Sequence, residues 1–77
     1  MNPLNDQVKQ ERAFLHDMAS PLMVAIGMVE AVEMTVDPND VESKAKLAKA
    51  MKSLLKMTDL LKARRKVLIA LDQETSQ

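Results

Sequence analysis

The chain contains no cysteine, tryptophan or tyrosine, and only one phenylalanine and one glycine. Without cysteine, no disulfide staples the fold and no thiolate binds a metal. A single histidine, His16, cannot build a zinc site on its own, so no metal is expected. With Phe14 the only aromatic residue, the bases of a single-stranded nucleic acid have nothing to stack on. With Gly27 the only glycine, a phosphate-cradling loop of the P-loop or dinucleotide type is excluded, and no ATP site is visible. The longest apolar run, Pro21 to Val29, is far short of the roughly 20 residues of a membrane span. The stretch Met1-Asn2-Pro3-Leu4-Asn5-Asp6 has no basic region leading into an apolar core, so no signal peptide is read there. A cytoplasmic protein is the simplest expectation, with neither nucleic acid nor a direct membrane span among its partners.

What is present is rich in Ala, Leu, Met, Lys, Glu and Val, the composition of an all-helical protein. Seventy-seven residues make at most one domain. A monomer this small buries little surface, so oligomerisation is expected. Net charge is zero but unevenly spread. Residues up to Val36 are mildly acidic and those from Asp40 to Leu71 clearly basic, as for two helices that pair with each other.

Asn2-Pro3 has the chemistry of a helix start, a capping side chain followed by proline. Apart from Pro21, nothing interrupts a helix until Thr35-Val36-Asp37-Pro38-Asn39-Asp40, where the turn residues cluster. Asp37 is the expected cap of a second helix, with Pro38 at its first position. The boundaries expected are helix 1 over about 3–34, a turn over 35–39, helix 2 over about 40–71, and a polar, frayed tail over 72–77.

Leu15, Met18, Leu22, Ala25, Val29 and Val32 form the expected apolar stripe of the first helix. Leu47, Met51, Leu54, Thr58, Leu61 and Leu68 form that of the second, with a gap at Arg65. Ala48 and Leu55 widen the second stripe, and Met57 and Leu60 flank it. Faces this wide exceed one two-helix seam. The expected architecture is an antiparallel hairpin that pairs with a second copy as a homodimeric four-helix bundle.

The chemistry concentrates in Phe14-Leu15-His16-Asp17-Met18-Ala19-Ser20-Pro21-Leu22. A histidine beside a carboxylate can act as a tuned nucleophile. A proline in mid-helix costs about 3 kcal/mol unless compensated. Unbroken periodicity on both sides of Pro21 reads as a kink rather than an end. At roughly 100° per residue, Ser20, Met23 and Gly27 fall within about 40° of His16. This face is distinct from the core stripe and uncharged below the histidine, which suits docking. Met23 and Met28 are the outward methionines that a partner helix would use. The basic cluster Lys62-Ala63-Arg64-Arg65-Lys66 reads as a solvated face near a helix carboxyl end.

His16-Asp17-x-x-Ser20-Pro21-Leu22-x-x-Ala25-Ile26-Gly27-x-x-Glu30 resembles the H-box of the dimerisation and histidine-phosphotransfer domain of bacterial sensor histidine kinases. Phe14, two residues before His16, and Asp59-Leu60-Leu61 in the second helix are similar to the family as well. The resemblance spans about Asn5 to Leu71. It implies that His16 is the phosphoacceptor and that Asp17 orients its ring as acid or base. It implies that Ser20 holds the position from which the family's Thr or Asn orients a water for dephosphorylation. Pro21 would kink the helix below the histidine, and Ala19, Met23 and Gly27 would meet the partner. Ala19 stands where the family often has a basic residue, and Ser20 where Thr or Asn is commoner. The implied partners are a second copy, a response-regulator receiver domain, and an ATP-binding kinase domain in cis or in trans. These residues carry none of the Asn- and Gly-rich boxes of that domain. The resemblance therefore implies no cofactor in this chain, with ATP and magnesium supplied only through a separate catalytic domain. The alternative is a non-catalytic dimerisation and interaction module that retains the bundle but not the chemistry.

Overall fold

Good helix formers fill the chain on both sides of one cluster of turn residues, and two long helices result. The computed structural model describes residues 3–75, with side chains to Gln73. Helix α1 runs Pro3–Thr35 and helix α2 runs Val41–Thr75. They pack side by side in a rod 59 × 15 × 13 Å. Glu11 and Arg12, early in α1, contact Arg64 and Asp72, late in α2, so the helices are antiparallel. The expected cap at Asn2 lies outside the described residues, as do Ser76 and Gln77 of the tail. The rest of the tail differs from expectation: α2 stays helical through Thr75. Asp72 is held there, accepting a hydrogen bond from Arg12 Nη1 at 3.0 Å.

The turn also differs from expectation by its cap. Asp37 Oδ1 accepts from the Asn39 amide at 2.9 Å, and the Asp37 carbonyl accepts from the Asp40 amide at 2.9 Å. Its carboxylate is thus used inside the turn. Asp40 caps α2 instead, its Oδ1 accepting from the Ser43 amide at 3.1 Å. Those hydrogen bonds from Ser43 hold the Asp40 carboxyl below its ordinary value. On the other side, Val32 O accepts from the Val36 amide at 2.9 Å and closes α1.

The seam is narrow. Val8, Leu22, Ile26 and Leu68 are buried, and Leu15, Met18, Ala25, Val29, Leu47, Met51, Leu54 and Leu61 half-buried. Thr58 lies in the seam at little cost because its hydroxyl donates to Leu54 O at 3.0 Å. Val32, expected in the core, is exposed, and Ile26 takes a core place. The expected stripe advances by alternate threes and fours, a period of 3.5. Against 3.6 residues per turn it drifts about 20° per heptad, which carries Val32 off the seam. Leu55, expected to widen the second stripe, is likewise exposed.

Candidate functional site

Helix α1 passes through Pro21 without a break. Proline has no N–H, so the Asp17 carbonyl, one turn back, receives no backbone donor from that position. The His16-Asp17 turn thus sits where the helix ladder has a gap. Both side chains project into solvent, at 86% exposure for His16 and 84% for Asp17. His16 Nδ1 stands 3.9 Å from Asp17 Oδ1, close enough to pair electrostatically with a protonated ring. It is too far for a hydrogen bond.

The helical geometry sets Ser20, Met23 and Gly27 below His16 on one outward face. All four are exposed, Met23 at 62%. A methyl group built on Gly27 would meet nothing within 4 Å, so no contact inside the hairpin requires glycine there. Ala19 turns the other way. It is half-buried and lines a cleft between the helices that His16 also borders.

That cleft has a volume of about 290 Å³ and arises only where the two helices meet. Leu15 of α1 and Leu61 of α2 supply its apolar part, and Lys9, Arg12 and Arg65 its charge. No carboxylate lines it. The only sequence signal for it was the gap at Arg65 in the apolar stripe of α2. The cluster Lys62 to Lys66 is exposed throughout, as expected of a solvated face, and two of its members also reach toward α1. Arg64 points to α1 and grips the Glu11 carboxylate through Nε and through Nη2, which donates to Oε1 at 3.1 Å. This two-pronged contact holds the Glu11 carboxyl below its ordinary 4.5 and raises the Arg64 guanidinium. Arg65, also exposed, lines the cleft.

A second surface is apolar. Phe14, Val24, Met28 and Val32 are exposed, Phe14 at 61% and Met28 at 64%. At 100° per residue they fall with Pro21 within an arc of about 80° on α1, which the exposed Asp17 interrupts between Phe14 and Pro21. In the sequence, only Met28 of this stripe stands out as an outward residue. Its apolar character also gives α1 an 18-residue window of mean hydropathy 1.3, long and apolar enough to cross a membrane by length and composition alone. No single uninterrupted apolar run accounts for this window, because single polar residues divide it. Among the described residues, no group of three or more His, Asp and Glu side chains comes together as a metal site. Comparison with protein-family models, curated proteins and solved structures gives no match.

Proposed function

We propose that this chain is a dimeric histidine-phosphotransfer module of two-component signalling. The observation that carries the reading is His16, exposed beside Asp17 one turn above Pro21, which has no N–H to give the Asp17 carbonyl. Nδ1 faces Asp17, which leaves Nε2 toward an incoming group. Nε2 attacks phosphorus of a donor held by a separate ATP-binding domain or a phosphorylated receiver. The P–N bond forms as the donor's P–O bond breaks, and the donor oxygen leaves with the electron pair. An aspartate carboxylate of a receiver then attacks the same phosphorus, and the pair of the P–N bond returns to Nε2. Asp17 stabilises the ring while it is cationic. The uncharged face of Ser20, Met23 and Gly27 meets the receiver. The stripe of Phe14, Val24, Met28 and Val32 meets a second copy and completes a four-helix bundle.

The test is transfer of labelled phosphate from ATP through a kinase catalytic domain, or from a phosphorylated receiver. The expected product is acid-labile, alkali-stable label on this chain that is absent from His16→Ala. Failure of both donor classes to label a correctly folded chain would sink the reading.

One observation favours a second reading, a non-catalytic interaction module. Gly27 is open to close approach by a partner backbone, and nothing in the hairpin explains it. On that reading Gly27→Glu abolishes partner binding while His16→Ala leaves function in the cell intact.

A further inference from the structure

Arg65 stands where an apolar residue belongs. In α2, Leu47, Met51, Leu54, Thr58, Leu61 and Leu68 all turn toward α1, and Arg65 follows Leu61 and precedes Leu68 in the same spacing. Arg65 is solvent-exposed and keeps its water, yet a cation set among other cations favours an anion beside it. Its neighbours have one: Arg64 holds Glu11, and Arg12 holds Asp72 at 3.0 Å. Arg65 and Lys9 pair with no carboxylate among the described residues. Both line the cleft that His16 borders, and no acidic side chain joins them. Two cations from different helices that no carboxylate neutralises line one cleft beside an exposed imidazole, and together they offer charge and donors to an anion.

We propose that this cleft is a phosphoryl-group site, in which Arg65 and Lys9 hold the oxygens of a phosphate beside the His16 ring. Arg12, already bonded to Asp72, adds charge from the wall. A guanidinium presents a planar fork that matches two phosphate oxygens, whereas Lys9 acts as a point charge. Arg65 and Lys9 are positioning residues: they hold the group that the ring nitrogen attacks or carries. The identity of the occupant rests on the phosphotransfer reading. The anion site itself can be tested with no transfer taking place.

His16 is the only histidine, so its ring protons report on the cleft without ambiguity in a proton NMR spectrum. The full chain is titrated with inorganic phosphate at fixed pH and ionic strength, with chloride as the control anion. The expected result is a saturating shift of the His16 ring signals with phosphate and none with chloride. Arg65→Gln should weaken binding roughly tenfold, Arg65→Lys less, and the Lys9→Gln/Arg65→Gln pair should abolish saturation. Lys49→Gln, outside the cleft, should change nothing, and circular dichroism confirms that each variant is helical. A shift that grows linearly, that chloride reproduces, or that survives in the double variant overturns the site. Saturable phosphate binding with no label on His16 from any donor keeps the site and removes the phosphotransfer reading. Full labelling of a wild-type chain that does not bind phosphate does the reverse.

Discussion

Gly27 sits in mid-helix, where glycine is the worst choice short of proline, and the hairpin makes no use of its missing side chain. An isolated hairpin should therefore gain from Gly27→Ala, by about 0.5–1 kcal/mol of helix stability. Thermal unfolding of the isolated chain reads this as a raised midpoint. A lowered midpoint would mean that the added methyl meets something the hairpin does not contain, such as a second copy. Partner binding read on the same variant separates the cost of a lost close approach from the gain in the helix. His16 and Asp17 were legible as neighbours because adjacency is a property of sequence. Their 3.9 Å separation and near-complete exposure were not, because rotamers on a helix surface depend on what packs beside them.

At the scale of the helices, two carboxylates tie acid lability to particular contacts. Glu11 is held below its ordinary 4.5 by hydrogen bonding to Arg64, and Asp40 below its ordinary 3.8 by hydrogen bonds from Ser43. A carboxyl depressed on folding adds stability that is fully present above its unfolded value. That stability is lost as pH falls through the folded value. The thermal midpoint should thus be steady at neutral pH and fall as the medium is acidified below the ordinary carboxylate values. Glu11→Gln removes part of that fall and lowers the midpoint at neutral pH. Equal acid slopes in Glu11→Gln and the parent would show that the Glu11–Arg64 contact contributes nothing. The two elements were readable from composition and from the turn cluster at residues 35–40. The cap was not, because Asp37 and Asp40 are equally good capping residues, and the choice rests on which carboxylate the turn itself consumes. The extension of α2 through Asp72 was also illegible, since the hydrogen bond from Arg12 comes from sixty residues away.

For the whole molecule the decisive quantity is the apolar surface left outside. Four side chains are buried among the described residues, while Phe14, Val24, Met28 and Val32 form an open stripe. Chains of fewer than about 70–80 residues rarely hold a fold on so small a core, and no disulfide assists this one. On the proposed dimer, the Val24→Glu/Met28→Glu pair should give monomers by light scattering and lose helical signal at the same protein concentration, because the hairpin loses its partner. A parent chain that stays monomeric and fully helical at micromolar concentration would contradict the bundle.

Helicity, the place of the turn and the unusual run around His16 follow from local chemistry: propensity, breakers and spacing act within a few residues. The cleft that Arg65 lines with Lys9 and the reach of Arg64 to Glu11 do not. They depend on the rotation of one 3.6-period helix against another. A reading by heptads accumulates about 20° of error with each repeat. By the end of a helix of more than thirty residues, that error moves a side chain from seam to solvent, as it does for Val32.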